Sequence, residues 1–270
     1  MSANERGSVQ VLQKAVSILD ELAAEDELTA AELAERVAEP RSSVYRLVAS
    51  LRELGLVRSG GRGRFRLGLH LLELGTAVSA RFDERRAALP VMQDLGARTN
   101  ETIFLCVRRD DEAVCIERID GQRVRSMELR LGGAQPLHAG GAARALLAWQ
   151  PQRFWDEYAA RQGLTRFTPN TIASKRELRR NLLDARQNGY VVSDGDVTLG
   201  IAAIGSPIFN HDGAIAASIS ISGTRPMILE GAFEKRRRSV MGAAQAISLE
   251  LGWRPRDSRR WWSGCVAERD

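Results

Sequence analysis

Apolar residues in the first part of the chain recur at steps of three and four, the spacing of one face of an α-helix. Between residues 8 and 23 this spacing predicts a first helix with a single buried stripe, made of Val9, Leu12, Val16, Leu19 and Leu22 or Ala23. Three acidic residues at 25–27 interrupt the pattern. We therefore expect this helix to end before residue 25.

A second helix is indicated by the residues of its own first turn. Thr29 and Glu32 have the spacing of a capping box, in which each side chain bonds the backbone amide of the other. Leu28 and Leu33 flank this box as a hydrophobic staple. The pattern predicts a short helix from Thr29 to about Val37.

A third helix follows Pro40, which a first turn accepts because the missing amide would have no intrahelical partner there. One face is apolar at Val44, Leu47, Val48, Leu51 and Leu54. At about 100° per residue the opposite face carries Ser42, Tyr45, Arg46 and Ala49, with Arg41 in the first turn and Ser43 at the boundary. Small, hydroxyl and arginine side chains suit a helix that enters the major groove of DNA.

Two short alternating segments surround a glycine-rich tip at residues 59–63, which predicts a β-hairpin over residues 57–67. Its second strand turns Phe65 and Leu67 inward and Arg64 and Arg66 outward, with Arg62 at the tip. Residues 8–68 therefore predict a winged helix-turn-helix domain, with the helix-turn-helix at about 29–54. We expect it to contact DNA through Arg41, Ser42, Ser43, Tyr45, Arg46, Arg62 and Arg64.

Positive charge is concentrated in the same region. Residues 39–68 contain seven arginines and two glutamates, a balance of +5 that equals the formal net charge of the whole chain. A local positive field is expected of a domain that binds nucleic acid. The competing interpretation is a three-helix interaction module whose arginines are merely solvated.

The remaining composition is that of a folded protein, and 270 residues leave room for two domains. The start of the chain is polar, and no apolar run approaches the roughly 20 residues that cross a bilayer. We expect a cytoplasmic protein with no membrane partner. Cys106, Cys115 and Cys265 lack metal-ligand spacing, so we expect no metal or other cofactor. Reduced thiols are the favoured interpretation, and a redox sensor is the alternative.

Three segments together resemble the IclR family of bacterial transcription regulators in order and spacing. They are SVQVLQKA at 8–15, PRSSVYRL at 40–47 and FRLG at 65–68. The resemblance covers nearly the whole chain and implies self-association near Lys14 and Ala15. It also implies a mixed α/β (α+β) fold, in which a linker helix at 69–82 joins the winged domain to a GAF-like effector domain at 83–253. That domain would contain an antiparallel sheet flanked by helices.

Periodicity within the larger domain independently predicts strands and helices. The strands are 102–109, 113–119, 123–129, 201–209 and 214–222, and the helices are 141–148, 151–162, 174–187 and 228–251. The last helix carries a basic run at 234–238 that we interpret as its solvated side. Residues 254–270 are polar apart from Trp261 and Trp262, which predicts a flexible tail that could dock by those two rings.

The sequence offers no set of nucleophile, base and orienting group. His138 precedes small residues rather than a catalytic partner, and the Gly-x-Ser-x-Gly pattern is absent. We interpret His138 as a structural residue at a junction between a loop and a helix. The larger domain is therefore expected to capture a ligand without converting it.

The resemblance to the family implies where that ligand binds. The matching positions are Met127, Gly140, Gly141, Ala142, Ser193, Asp194, Ile201, Ala203 and Ser220. Backbone amides at the start of the helix after Gly140 would face an anion. Ser193 stands where some members have an acidic residue, and Ala203 where many have a cysteine. The pocket is thus expected to take an organic acid or an aromatic metabolite, although each residue could equally be plain core.

These observations predict a sequence-specific DNA-binding transcriptional regulator, repressor or activator, controlled by a small-molecule metabolite. It would bind a double-stranded operator as a homodimer or tetramer. Two alternatives remain: a constitutive DNA-binding protein whose larger domain only oligomerises, and a metabolite-converting enzyme with a basic appendage. The second is disfavoured by the missing catalytic residues.

Overall fold

The computed structural model describes residues 3–79, 83–122, 129–161, 163–255 and 261–262. The chain divides into two compact units, residues 1–81 and residues 82–270. Within the described residues, no helix is both long and apolar enough to span a bilayer.

The N-terminal unit contains helices around a small antiparallel sheet. Its elements are α1 (Ala3–Ala24), β1 (Leu28–Thr29), α2 (Ala30–Arg36), α3 (Arg41–Glu53), β2 (Val57–Ser59), β3 (Arg64–Leu67) and α4 (Leu69–Ser79). The strands lie in the order β1-β3-β2. Strand β1 was not expected from the sequence, and it pairs Leu28 with Phe65 of the hairpin. This pairing joins the hairpin to the start of α2.

The predicted capping box at the start of α2 is confirmed. The amide of Glu32 donates to the Thr29 hydroxyl at 3.2 Å, and the Glu32 carboxylate accepts from the Thr29 amide at 2.7 Å. Leu28 and Leu33 are both buried in the core of this unit, as a hydrophobic staple requires.

The predicted buried stripe of α1 is wrong in part. Ile18 and Leu22 are buried in the core, whereas Leu12 is 64% exposed and Val16 is 55% exposed. The side chain of Val9 lies outside those described. Helix α1 therefore has two apolar faces, and only one of them packs on α2 and α3. Leu54, expected on the buried face of α3, is 63% exposed at the end of that helix.

The C-terminal unit is a six-stranded antiparallel sheet covered by helices. Its elements are α5 (Asp83–Thr99), β4 (Thr102–Arg109), β5 (Glu112–Ile119), β6 (Ala134–Pro136), α6 (Gly141–Ala148), α7 (Gln152–Arg161), α8 (Lys175–Asn188), β7 (Val191–Asp194), β8 (Ile201–Phe209), β9 (Ile215–Thr224), α9 (Arg225–Leu229) and α10 (Phe233–Glu250). The strand order is β6-β5-β4-β9-β8-β7. Strands β6 and β7 are two that sequence periodicity missed, because each is short.

Helix α6 lies directly against the sheet at Gly205. A Cβ atom at Gly205 would stand 2.2 Å from the carbonyl oxygen of Gly141, so only glycine allows this approach. On the same side, the Ser218 hydroxyl donates to the carbonyl of Ala142 at 2.9 Å. Helix α10 also packs on β8 and β9. Because nearly all of β8 is buried, we place α6 on one face of the sheet and α10 on the other.

Other parts of the C-terminal unit differ from the sequence predictions or lie outside the described residues. The expected single helix over 228–251 is wrong, because the chain forms α9 and α10 with a break at Gly231, where φ is +63°. The expected strand over 123–129 lies outside the described residues except for Leu129. Of the residues beyond Arg254, those at 255, 261 and 262 are described.

Trp261 and Trp262 dock on the body of the C-terminal unit. Trp261 is only 3% exposed, and its ring centroid lies 5.9 Å from that of Phe209. Its carbonyl accepts a hydrogen bond from the Trp253 indole at 3.1 Å, and the Trp262 carbonyl accepts one from Trp149 at 3.3 Å. These aromatic contacts fasten Trp261 and Trp262 to the C-terminal unit.

Candidate DNA-binding and ligand-binding sites

Helix α3 separates an apolar face from a polar one. Val44, Val48 and Leu51 are buried in the core and fix the rotation of the helix. The outer face presents Arg41, Ser42, Tyr45 and Arg46 to solvent, with Ser43 half-buried at the boundary. The structure thus brings the five predicted α3 residues to one side of the helix.

Three of the predicted arginines have no partner within residues 3–79. Arg41, Arg46 and Arg62 make no ion pair or hydrogen bond to another described residue. Arg62 is exposed at the hairpin tip and has a left-handed backbone, with φ of +58°. An arginine side chain offers five donors in a planar fork. These groups can therefore bind phosphate or a base edge.

Arg64 and Arg66 differ from the three unpartnered arginines. The Arg64 guanidinium donates to the carbonyl of Glu27 at 3.0 Å and lies 3.6 Å from the Glu32 carboxylate. Arg66 lies 3.6 Å from the Glu27 carboxylate. Hydrogen bonds from Thr29, the largest cause, hold the pKa of Glu32 below its ordinary value. Arg64 and Arg66 fasten the hairpin to β1 and α2.

The turn before α3 is held by an ion pair that the sequence did not reveal. The Lys14 ammonium lies 2.8 Å from the Glu39 carboxylate, which connects α1 to this turn. Ala38 in the turn has φ of +54°. Pairing with Lys14 offsets a negative charge close to the outer face of α3.

A cavity of about 50 Å³ lies between the start of α6 and strands β7 to β9. Its lining residues are Phe104, Leu129, Gln135, Gly140, Gly141, Ala142, Ser193, Val197, Thr198, Ile201, Ala202, Ala203, Ser220 and Ser222. Seven of the predicted effector-binding residues are among them: Gly140, Gly141, Ala142, Ser193, Ile201, Ala203 and Ser220. The structure therefore brings these seven together.

Two predicted residues do not join this set. Asp194 does not line the cavity, and its carboxylate accepts from Arg225 at 2.9 Å on the surface. Met127 lies outside the described residues. The prediction for Met127 stays untested.

Asp196 and Arg144 form a buried ion pair beside the cavity. The Arg144 guanidinium lies 2.8 Å from the Asp196 carboxylate, and both side chains are 3% exposed. The carboxylate also accepts hydrogen bonds from the Gly140 amide at 3.2 Å and from the Ser193 hydroxyl. The Val192 carbonyl accepts a further bond from Arg144 at 2.8 Å. The pair locks the start of α6 to the turn after β7.

This arrangement changes the expectation for the start of α6. The Gly140 amide and the Ser193 hydroxyl, both expected to face a ligand, already bond Asp196. The first-turn amides of Gly141 and Ala142 have no intrahelical acceptor. In addition, Thr198 Oγ1 is buried without a hydrogen-bond partner among the described residues. The donors left to face a ligand therefore include the amides of Gly141 and Ala142 and the Thr198 hydroxyl.

His138 is a buried structural residue. Its Nδ1 lies 2.7 Å from the Tyr158 hydroxyl, and its Nε2 lies 2.9 Å from the carbonyl of Thr165. Since the carbonyl can only accept, the proton belongs on Nε2 in the neutral ring. Burial lowers the pKa of His138 and raises the pKa of Tyr158 to about 12. Both ring nitrogens are therefore occupied, and neither reaches a reacting group.

Sequence reasoning missed several of the residues that shape the ligand-binding region. Phe104, Leu129 and Thr198 line the cavity, and Asp196 with Arg144 supports it. One indication was available, because Arg144 is a charged residue within an otherwise small and apolar segment. Such residues are buried only when paired.

Comparisons with known proteins agree with this arrangement. Residues 11–61 match the IclR helix-turn-helix domain, and residues 76–249 match the domain described as bacterial transcriptional regulator IclR C-terminal. The HTH-type transcriptional regulator KipR of Bacillus subtilis (strain 168) is 34% identical over 240 residues, which cover 89% of this chain and 96% of KipR.

Solved structures give the same result. The crystal structure of the Thermotoga maritima IclR has a TM-score of 0.76 at 32% identity, covering 91% of this chain and 100% of that one. An IclR homolog from Microbacterium hydrocarbonoxydans, complexed with 4-hydroxybenzoate, has a TM-score of 0.79 at 28% identity. The match covers 89% of this chain and 98% of that one. This chain therefore belongs to the IclR family of bacterial transcriptional regulators: it is a DNA-binding regulator with an effector-binding C-terminal domain, and not an enzyme.

Proposed function

We propose that this regulator reads its operator through the outer face of α3 and the hairpin tip. In this proposal Arg41, Ser42, Ser43, Tyr45 and Arg46 enter the major groove, while Arg62 contacts the adjacent backbone or minor groove. The observation that carries the proposal is the set of exposed arginines on this surface without an acidic partner among residues 3–79. Arg64 remains a predicted contact, although its guanidinium is shared with Glu27 and Glu32.

The proposed reader is a homodimer, or a tetramer built from two such dimers. Helices α1 and α4 leave large apolar side chains in solvent, namely Val11, Leu12, Val16, Leu69, Leu72 and Leu74. A monomeric protein rarely exposes contiguous apolar patches of large size, and such patches often mark an interface. Two copies would place two α3 helices about 34 Å apart on a palindromic operator.

The proposed effector is a small organic acid or aromatic metabolite that binds in the cavity beside α6. Phe104, Leu129 and Ile201 supply apolar walls for its body. Hydroxyls of Thr198 and Ser220, with the amides of Gly141 and Ala142, supply donors for an oxygen-bearing group. Acid groups are favoured there because the start of a helix carries partial positive charge. A compound such as 4-hydroxybenzoate, present in the Microbacterium relative, belongs to this class.

Ligand binding must also move part of the wall. The cavity of about 50 Å³ is too small for a metabolite of that size, since ligand pockets usually measure about 300 to 1,000 Å³. An effector would therefore favour a rearranged state of the C-terminal unit. It would change DNA binding only by its difference in affinity between the two states.

The experiment that tests DNA reading is a gel shift with the regulator's own upstream DNA and an unrelated duplex. Preferential binding with a steep decrease at higher salt concentration would support a sequence-specific reader. Equal, weak binding to both duplexes would contradict it for that DNA.

The experiment that tests the effector is a thermal-shift series with small aromatic and aliphatic acids, including 4-hydroxybenzoate. A bound ligand raises the unfolding temperature, because it stabilises the native state by RT ln(1 + [L]/Kd). The Thr198→Val variant keeps the shape but removes the unpartnered hydroxyl, so the shift should shrink. An identical shift in that variant would place the ligand elsewhere.

A further inference from the structure

Two cysteines face each other across neighbouring strands of the larger sheet. Cys106 on β4 is the register partner of Cys115 on β5, at a point where the pairing is shifted by an irregularity. Both side chains are wholly buried. Neither residue is part of the DNA-reading face or of the cavity lining.

Backbone hydrogen bonds show which kind of strand pair this is. The Cys115 amide donates to the Gly133 carbonyl at 2.9 Å, and the Cys115 carbonyl accepts from the Gly132 amide at 2.8 Å. Both backbone groups of Cys115 therefore point away from β4. Such a non-hydrogen-bonded antiparallel pair has its Cα atoms about 4.5 Å apart. That separation falls within the range of about 4.4 to 6.8 Å that a disulfide requires.

The two neighbouring thiols differ in acidity. Cys106, the largest cause, lowers the pKa of Cys115, and so do the Glu117 carbonyl, which accepts a hydrogen bond from the Cys115 thiol at 3.3 Å, and the Arg118 guanidinium. The neighbouring Cys115 thiol and burial raise the pKa of Cys106. Cys115 is thus the thiol that loses its proton first, with Cys106 positioned as its neighbour.

We propose that Cys106 and Cys115 form a reversible intramolecular disulfide when the protein meets hydrogen peroxide, an oxidant close to water in size. The Cys115 thiolate attacks one peroxide oxygen, the O–O bond breaks, and the departing hydroxide takes a proton to become water. The Cys106 sulfur then attacks the sulfur of the Cys115 sulfenic acid. The S–O bond breaks, and the hydroxyl leaves with the Cys106 proton as a second water. Two thiols are oxidised and one peroxide is reduced to two waters.

The test uses the full chain, treated with hydrogen peroxide, quenched, denatured and alkylated. The sequence contains three cysteines. Alkylation should fall from three cysteines to one, and peptide mapping should show a link between the Cys106 and Cys115 peptides. Dithiothreitol should restore all three. The Cys265→Ser variant is the matched control, and its Cys106–Cys115 link should form as in the unaltered chain.

Each replacement of a paired cysteine should abolish the link. The Cys106→Ser variant should instead hold a sulfenic acid at Cys115 that dimedone traps. A disulfide that includes Cys265, or oxidation to sulfinic acid without any Cys106–Cys115 link, would overturn the proposal. Complete alkylation of all three cysteines would also overturn the proposal, if a free-thiol peptide in the same tube shows that the peroxide was active. The peptide map of the unaltered chain decides the question even if a variant fails to fold.

Discussion

Arg46 in the N-terminal unit and Arg144 in the C-terminal unit carry the same side chain in opposite settings. Arg46 is exposed and has no partner among residues 3–79, whereas Arg144 is 3% exposed and bonds Asp196, Asn181 and Val192. Local charge alone cannot separate these roles. Burial and the number of internal partners can, because a guanidinium enclosed inside the protein cannot reach DNA.

The largest expected effect comes from removing the internal arginine. Arg144→Ala would leave the Asp196 carboxylate buried without its charge partner. We expect the free energy of unfolding of the C-terminal unit to fall by about 3 to 5 kcal/mol. Scanning calorimetry of the full chain would measure the loss.

Arg153→Ala is the matched control, because Arg153 is an exposed arginine of the same unit. Arg153→Ala should change the free energy of unfolding by no more than about 0.5 kcal/mol. A loss in Arg144→Ala no larger than in the control would show that the ion pair is unimportant for the fold. The contrast between the two settings of arginine would then lose its physical basis.

The next effect concerns the exposed arginine of α3. Arg46→Ala should weaken operator binding by about 1 to 3 kcal/mol if its guanidinium reads a base. Stability should not change, since Arg46 makes no ion pair or hydrogen bond to another described residue. Gel-shift titrations on the operator and on random DNA separate the two kinds of contact.

Arg36→Ala serves as the control for Arg46, because Arg36 is an arginine of the same unit that pairs with Glu21 and Glu25. An equal loss of Arg46→Ala affinity on both duplexes would assign Arg46 to a phosphate. Unchanged binding to both would remove Arg46 from the interface.

Two hairpin arginines, Arg62 and Arg64, test the same comparison at positions only two apart in the chain. Arg62→Ala should reduce the salt dependence of DNA binding by about one unit of slope and leave stability unchanged. Arg64→Ala should instead lower the unfolding temperature of the N-terminal unit, because Arg64 bonds the Glu27 carbonyl. If Arg62 affects stability and Arg64 affects only DNA binding, the assignment by internal partners is wrong.

The smallest effect is a pH dependence that arises from His138. Burial lowers its pKa in the folded state below the ordinary value of 6.5. The stability that neutral His138 contributes is therefore complete above pH 6.5. It is lost as the pH falls through the lowered folded-state pKa. Thermal unfolding at several pH values should show a smaller acid-side decrease in His138→Gln than in the unaltered chain. Parallel curves would mean that His138 is not held neutral by the fold.

The sequence predicted those elements whose chemistry is local. The capping box of Thr29 and Glu32 depends on neighbours three positions apart and is found. The buried face of α3 has the same local basis, and it is found at Val44, Val48 and Leu51 but not at Leu54. The buried stripe of α1 was predicted wrongly, because that helix has a second apolar face that includes Leu12 and Val16. Periodicity reports that a face is apolar, but it cannot report what covers it.

The ligand-binding region could be predicted only in part, for a related reason. Resemblance to the family located seven of the cavity residues, yet it gave no hint that Asp196 bonds Gly140 and Ser193. The contact between Asp196 and Gly140 joins residues separated by 56 positions along the chain. A contact at such a separation depends on the packing of the whole unit, which local patterns do not encode.

The aromatic cluster that fastens Trp261 and Trp262 to the sheet also gives the two units different optical properties. All five tryptophans lie after residue 81, at 149, 155, 253, 261 and 262. Indole fluorescence therefore reports the C-terminal unit alone, while Tyr45 on the outer face of α3 is the only tyrosine before residue 81. Selective excitation of tryptophan can thus follow the unfolding of the C-terminal unit alone in an unlabelled sample, whereas tyrosine emission also includes Tyr158 and Tyr190 of that unit.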